Sequence, residues 1–554
     1  MIAQNASQTR SAVFWIGPDF TALAARRSIV GVSIVWALTQ GIPAPPARAS
    51  EAFPFSFGSV GQEYGKALAV GAGNDVIVAA LFQNDVDVAP GDAVTTLAGI
   101  GLVDIGLIRY NKDGGLVWGE AIGGAASTDV PHAVDTDNAG NILLAGYFGS
   151  QADANPRTAD FDPGPAVRNL TSQGNFDAFV AKYDADGAYL WALGLGNSAG
   201  ATEERIWDLI VDADNACYVT GAFSGTLDFN PLQPGNPRVL TAEGAGVNLF
   251  LAKYDSAGSN LWAIRVGANL TDVFTEAYGA VAVDEAGNCF WSGNFRDANV
   301  DFDPGPGTAL LGSAGQTDIF LARYAAADGA FGSAARIGGV ARDIASPGAL
   351  RLDQNGNPLL TGRFSGVADF DPGAGTRNLT AISAMNAFVA AYTSGSALRW
   401  AFSIPATGDS NGGHRVAVDR ANNVLVAGWF SGDADFDPSP ATANLTSNGT
   451  GGASDVFLAK YDNAGAYQWA FGCGAAVSGG GNLSIAAGLD VDGADNSIIT
   501  GQFFGANADF DPAPGNSIFL SSEGANDCFV AKYTPAGQRW TFDVPVRLSS
   551  WLLY

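Results

Sequence analysis

Apolar and polar positions alternate along nearly the whole chain, in short stretches separated by turns rich in Gly, Asp and Asn. The stretch Asp455–Ala470, DVFLAKYDNAGAYQWA, shows the unit: an acidic opener, an alternating segment ending on Lys460-Tyr461, a turn at Asp462–Gly465, then a segment carrying Trp469. Side chains alternate between the two faces of a strand, so period-two patterning on both sides of a glycine turn predicts a β-hairpin. Just upstream, His414–Asp419 and Val424–Phe430 alternate around a tight turn at Arg420–Asn423. The unit therefore reads as four antiparallel strands: A (His414–Asp419), B (Val424–Phe430), C (Asp455–Tyr461) and D (Ala466–Gly472).

The unit recurs seven times. Its tyrosine returns as Tyr110, Tyr183, Tyr254, Tyr324, Tyr392, Tyr461 and Tyr533, and six residues before each stands Asp104, Asp177, Asn248, Asp318, Asn386, Asp455 or Asp527. The tryptophan returns as Trp118, Trp191, Trp262, Trp400, Trp469 and Trp540, and the fourth copy lacks it. A period near 70 residues exceeds the roughly 40–50 of common propeller blades, so the surplus must lie in a loop. The B–C segment holds it, Ser431–Ser454 in the sixth copy.

Strand A carries the packing information. Leu68, Val134, Leu209, Val281, Leu350, Val416 and Leu489 share one register, while the preceding position holds Ala67, Ala133, Asp208, Ala280, Ala349, Arg415 and Gly488. One face is bulky and the other mostly lean, which suits identical sheets stacked around an axis, bulky side into lean side. The expected fold is all-β, a seven-bladed β-propeller of four-stranded antiparallel blades, with the Trp of strand D in the inter-blade layer. Closure has two solutions. Phe53–Gly58 (FPFSFG) resembles a strand D placed before the first repeat, yet the last repeat has its own at Trp540. Either the N-terminal strand closes the ring or it adds an outer edge.

The series D-x-F-x-A-K-Y-D-x-x-G-x-x-x-W, A-V-D-x-x-G-N and T-G-x-F-x-G-x-x-D-F-D-P-G resembles the bacterial seven-bladed β-propeller repeat of SBBP type, over roughly residues 53–545. The departures are local: Asp85–Pro90 replaces DFDP in the first copy, Asn230 enters the third, and the fourth lacks Trp. The resemblance implies an extracytoplasmic protein and brings no catalytic residues with it.

Residues 1–49 stand apart. Arg26-Arg27 precede the apolar Ser28–Leu38, prolines follow at 43, 45 and 46, and Ala47-Arg48-Ala49 stands before Ser50. This is the layout of a cleavable secretory signal, with an N-terminal anchor as the alternative. The domain plan is thus a leader at 1–49, the propeller at 50–545 and a C-terminal tail at 546–554. After residue 50 no apolar run approaches the roughly 20 residues of a membrane helix. The net charge of −27 repels nucleic acid and anionic lipid and suits cations or basic partners. Cys217, Cys289, Cys473 and Cys528 lack metal-ligand spacing, and the first two occupy one register in adjacent sheets about 10 Å apart, too far to bridge. They read as buried thiols.

Candidate chemistry falls at three places. The B–C motif DFDP contributes Asp160 and Asp162, Asp301 and Asp303, Asp369 and Asp371, Asp435 and Asp437, and Asp509 and Asp511, with Asp228-Phe229-Asn230-Pro231 as a variant. These pairs fit either a Phe-anchored Asp-Pro turn or a hard-cation site for Ca2+, which needs six to eight oxygens. The residue opening strand C reads as a turn cap or a ligand ring. In strand A, Lys66, His132, Trp207 and His414 share one register and are expected to converge on the mouth of the central channel, with Glu203 and Glu204 nearby. Lys182, Lys253, Lys460 and Lys532 of strand C are expected to point outward into solvent. Binding is placed on the face carrying the B–C loops and D–A links, since function favours long loops on rigid scaffolds. The expected protein is an exported, monomeric, non-catalytic scaffold for a protein or glycan partner. The alternative is a secreted lyase- or hydrolase-like enzyme using His132, His414 and Lys66.

Overall fold

The computed structural model describes residues 53–541 apart from 92, 151–154, 198–202, 245, 271–277 and 478–483. The expected leader at 1–49 and tail at 546–554 lie outside the described residues. Strands form where the alternation puts them. In the sixth repeat they are Gly412–Val418, Val424–Phe430, Asp455–Tyr461 and Tyr467–Cys473, paired antiparallel in chain order. Seven such sheets make a seven-bladed propeller, and the described residues contain no helix. The innermost A strands are Tyr64–Val70, Val130–Thr136, Arg205–Val211, Gly279–Val283, Asp343–Leu352, Gly412–Val418 and Ile485–Val491 for blades 1 to 7.

The core is divided into seven clusters, one at each seam between neighbouring blades. Bulky meets lean as the alternation predicts. Val134 of blade 2 packs with Ala67 and Ala69 of blade 1, Leu350 of blade 5 with Ala280 and Ala282 of blade 4, and Leu489 of blade 7 with Ala417 of blade 6. All four cysteines are free and buried in these layers.

The Trp of strand D crosses the seam. The indole nitrogens of Trp118, Trp191, Trp262, Trp400 and Trp469 donate to the backbone carbonyls of Ala185, Ser256, Ala326, Asn463 and Pro535, each in the C–D turn of the next blade, at 2.9–3.2 Å. The turn glycine of that next blade then lies on the ring. A Cβ at Gly465 would sit 3.0 Å from Trp400, and its φ of +82° also requires glycine. Blade 4 has Ser333 where the Trp would stand, paired with Arg323 as Trp469 is paired with Lys460. Blade 5 has Ser396 at φ 64° in place of the turn glycine. Ring and glycine are lost together, because the glycine is needed most where an indole lies beneath it.

The strand C lysines are not solvated. Lys182, Lys460 and Lys532 are under a tenth exposed and bind Asp137, Asp419 and Asp492 of their own A–B turns at 2.7–2.8 Å; Lys253 binds Asp212 at 3.2 Å. Each ammonium also donates across the seam, Lys532 to the Lys112 carbonyl at 2.8 Å. The alternation gives the right face but not its cover, since the neighbouring blade closes over the side chain. Burial would raise the Asp137, Asp419 and Asp492 carboxyls, but the Lys and Asn hydrogen bonds outweigh it and hold them below the usual range.

The surplus B–C length folds into a two-stranded ribbon on every blade, such as Asp433–Asp435 with Asn444–Thr446. Several ribbons hydrogen-bond to the end of strand D of the preceding blade: Asp160 N–H to Gly123 at 2.9 Å, Asp435 N–H to Pro405 at 3.1 Å, Asp509 N–H to Gly474 at 3.2 Å. The surplus thus stitches seams.

Closure uses both ends of the repeat region. Phe55–Phe57 pairs with Asp527–Tyr533 and takes the outer place in blade 7. Trp540 N–H bonds the Lys532 carbonyl, the place Trp469 holds opposite Lys460, and its ring meets Phe53 edge-on at 5.9 Å. The two solutions open at the sequence level merge into one composite strand.

Replacing Gly465 with Ala should lower stability by about 1–2 kcal/mol or more, since it forces a side chain into the left-handed region and against an indole. Ser396→Gly, with no ring beneath, should be neutral or mildly stabilising. Chemical denaturation of the two variants checks the opposite signs.

Candidate functional site

The A strands are not regular. Register slips by one residue at Lys66, His132, Trp207, His414 and Ala487, each an extra residue opposite its B strand. In blade 5 the slip is longer, spanning Ser346–Ala349. A bulge leaves its extra residue out of the ladder and re-aims its side chain. In blades 2, 3, 5, 6 and 7 the strand B glycine of the T-G-x-F position faces the bulge: a Cβ at Gly146, Gly221, Gly362, Gly428 or Gly501 would meet a strand A carbonyl oxygen at 1.9–2.1 Å, whereas blade 1 bulges opposite Ala80. The glycine lets strand A press close enough to kink.

The bulged side chains converge. Lys66, His132, Trp207 and His414 line a single cavity of about 290 Å3. It lies where A strands begin and B strands end, hence on the face of the B–C and D–A connections, and every blade contributes to its wall. Sequence reasoning misses the rest of the lining. Tyr147, Arg363 and Trp429 come from the ends of B strands, Arg205 and Tyr278 from the entry of A strands, and Arg415 from the position after a bulge. A count of two along strand A puts Arg415 and His414 on opposite faces; the bulge lets both reach the cavity. Among the described lining residues none is Asp or Glu.

His132 stacks on Trp207, with centroids 4.3 Å apart and an interplanar angle of 13°. Its Nδ1 is 2.9 Å from the Ile206 carbonyl oxygen. Burial, reinforced by Lys66, pushes His132 well below its usual range, and burial, then Arg415 and Lys66, do the same to His414. Both imidazoles are neutral at physiological pH. Arg205 is buried, pairs with Glu203 at 3.3 Å and covers the Tyr147 ring at 3.9 Å. Glu204 turns away and accepts from Asn197 at 2.9 Å.

Arg415 closes the axis beneath the mouth. Its guanidinium donates to the carbonyls of Ala487 at 2.6 Å, of Lys66 and His132 at 3.4 Å, and of Pro347, so five blades meet on one side chain. Asp208, in the register of Arg415, accepts the N–H of Val281 in the next blade, and two residues further along the A strands Asp135 and Asp490 accept those of Val211 and Val70, at 2.8–2.9 Å, with Arg351 4.0 Å from Asp208. Burial raises all three carboxyls, Asp135 to about 6.

The DFDP residues do not meet at the mouth. In each ribbon the first Asp serves its own turn: Asp160 Oδ1 accepts the N–H of Asp162 and Arg168, and Asp369, Asp435 and Asp509 repeat the pattern. Asp301 does the same for Asp303 and Ala309. The second Asp caps the bend, as Asp162 does for Gly164, Asp303 for Gly305, Asp371 for Gly373, Asp437 for Ser439 and Asp511 for Ala513. The Phe between them is buried, and its carbonyl accepts the strand C tyrosine hydroxyl, Tyr183 to Phe161 at 3.0 Å. Among the described residues no three His, Cys, Asp or Glu side chains are grouped as a metal would need.

The Asp or Asn opening strand C is a cap in all seven blades. Asp104 takes Ile100 N–H, Asp177 takes Gln173, Asn248 takes Glu243, Asp318 takes Ala314, Asn386 takes Ile382, Asp455 takes Asn448 and Asp527 takes Glu523. At three seams a second buried acid from the following D–A link faces it. Burial, with Asp318 as neighbour, lifts Asp343 to about 7, and burial with Glu63 and Glu523 lifts Asp527 to about 7. Asp129, beside Asp104, is pushed well above its usual range by burial.

Fold and site together define a propeller-repeat protein with a ligand-sized axial mouth. No known family model matches the chain. A curated relative, the uncharacterized WD repeat-containing protein L264 of Acanthamoeba polyphaga mimivirus, is 23% identical over 546 residues, 86% of this chain. The match spans 38% of that protein's length. A solved protein of unknown function from Bacteroides caccae matches 68% of this chain and 92% of its own at 11% identity, with a TM-score of 0.31. Among the described residues no helix is long and apolar enough to cross a membrane.

The facing acids set a pH dependence. Asp343 and Asp527 hold their protons more tightly folded than unfolded, so they lower stability as pH rises from about 4 through about 7. The Lys-paired Asp137, Asp419 and Asp492 act oppositely, losing their contribution only below about pH 4. The two neutral imidazoles oppose this below about pH 6.5, but the raised acids outnumber them, so the melting temperature should rise on going from pH 8 to pH 5, and Asp343→Asn should shrink that gain. Calorimetric scans across the range read both.

Proposed function

We propose that this chain is an exported, monomeric propeller of SBBP type that serves as a non-catalytic binding scaffold at the bacterial cell envelope or outside the cell. A protein or glycan partner engages the axial mouth. The observation that carries this reading is the cavity itself: bulges and strand ends of all seven blades, far apart in sequence, deliver their side chains to one hollow of about 290 Å3. Concave, aromatic-lined hollows with a few convergent polar groups are where small ligands bind. Export rests on the arginine pair, apolar run and small-residue site within residues 1–49. Absence of turnover is supported by the state of the histidines, neutral, with His132 stacked and hydrogen-bonded to a carbonyl rather than to a carboxylate that would tune it.

Binding and turnover are separable in one screen. The wild-type chain, Trp207→Ala, and the double variant His132→Ala with His414→Ala are presented to glycan and peptide arrays with product analysis. Binding without product, weakened at least tenfold by Trp207→Ala, is the expected outcome. Turnover that disappears with the histidines would make the protein an enzyme.

Export is tested by expressing the full chain in a Gram-negative host. The mature chain should be found outside the cytoplasm with Ser50 as its first residue. Retention in the cytoplasm with residues 1–49 intact would remove that part of the reading.

A further inference from the structure

The charge inside the mouth is opposite to the charge of the protein. The chain carries −27 overall, yet the described lining holds Lys66, Arg205, Arg363 and Arg415 and no carboxylate. Arg205 has Glu203, and Arg415 has its four carbonyls. Lys66 and Arg363 are different. Among the described residues the Lys66 ammonium makes no hydrogen bond or ion pair, and the Arg363 guanidinium has the Trp429 ring, 5.7 Å away, and Tyr278 as an electrostatic neighbour, with no carboxylate. Two half-buried cations without counter-charge are costly, because an ionised group taken from water needs a partner or gives up its charge. Lys66 moves toward giving it up: burial, then Arg415 and Arg205, bring it down to about 8.

The walls narrow the class of anion that would supply the missing charge. Tyr147, Trp207, Tyr278 and Trp429 make the wall aromatic, with Trp207 held between His132 and Tyr278 and Arg205 over the Tyr147 ring. A ligand that is all charge, such as inorganic phosphate, would lose its water and leave these rings unused. The volume is at the small end for ligand sites and holds about one ring. The acidic exterior opposes a long polyanion.

We propose that the axial mouth binds a small monocarboxylate with one flat apolar face, its carboxylate taken by Lys66 and Arg363 and its face laid on the aromatic wall. This rests on the reading of the mouth as a binding site and names its ligand class. A sugar acid and an aromatic acid both present that chemistry.

Titration calorimetry of the full chain at pH 7 with sodium glucuronate, benzoate, glucose and inorganic phosphate separates them, using wild type, Lys66→Met, Arg363→Gln and Trp207→Ala, each checked for an unchanged melting profile. At least one carboxylate should bind, glucose should not, and phosphate should bind more weakly. The tighter of glucuronate and benzoate identifies the source. Lys66→Met should weaken it roughly tenfold or more, the range for a charged hydrogen bond. Wild-type affinity should fall from pH 7 to pH 9 as Lys66 loses its proton, and the Lys66→Met affinity should stay flat. The other groups facing Lys66 are Arg205, Arg363, Arg415, His132, His414, Tyr147 and Tyr278; burial lowers Arg363 and brings Arg415 down to about 10, and it holds both imidazoles well below their usual range, so Lys66 titrates first between pH 7 and 9. The proposal falls if neither acid binds, if phosphate binds as tightly as both, or if Lys66→Met leaves affinity unchanged. Glucose binding that Trp207→Ala abolishes would leave the mouth a binding site for a neutral ligand. Array partners indifferent to every mouth variant would remove the mouth reading as well.

Discussion

Everything in this molecule depends on the seam between blades. One blade has two apolar faces and cannot bury either alone. Large side chains in the register of Val134 and Leu489 enter the small-residue face of the preceding blade. The indole reaches across and donates to the next turn, and the strand C lysine does the same from within its own ion pair. Apolar packing, a hydrogen bond and a buried charge thus act at one boundary, and only a closed ring satisfies both faces of every blade. The paired loss in blades 4 and 5, indole and turn glycine together, shows that the seam and not the blade is the unit the sequence specifies.

How much of this is legible in the sequence depends on how local the cause is. The hairpins, the seven strand C caps and the packing asymmetry rest on residues within a few positions of each other, and the residue pattern places them. The lysines illustrate the limit. Lys460 and Asp419 are partners in one blade but forty-one positions apart, and the cover over them comes from Pro535 of the next blade. Alternation alone assigns such a lysine to solvent. Bulges are harder still. An extra residue leaves no compositional mark on its own strand, and in five of the six bulged blades its trace is the T-G-x-F glycine of the neighbouring one, which reads as a propensity feature until the carbonyl above it is seen. The four register-mates Lys66, His132, Trp207 and His414 come together, while Arg415, Arg363 and Trp429 lie beyond what a two-residue period can place.

Arg415 also shows why net charge is a poor guide to a site. Its guanidinium binds carbonyls from four other blades at the base of a basic, aromatic mouth, while Asp208 in its own register and Asp135 and Asp490 two residues further turn their carboxylates to backbone N–H groups of the next blade. The acidity of the chain lies in caps, ribbons and those inner carboxylates. A surface attractive to cations coexists with a hollow attractive to anions because fixed backbone dipoles, with Arg415 and Arg351 beside the inner carboxylates, hold the two apart over a short distance in a low-dielectric interior.

The composite outer strand of blade 7 bears on how the chain is made. Phe55–Phe57 leaves the ribosome some 470 residues ahead of its partner Asp527–Tyr533. At ordinary elongation rates of roughly 5–20 residues per second, the wait is on the order of half a minute to a minute and a half. Throughout that interval Leu68, Val76 and Val78, which end up packed with Ile498 and Val530, lack the cover of blade 7. Until that blade arrives the nascent protein is an incomplete arc with one uncovered apolar flank.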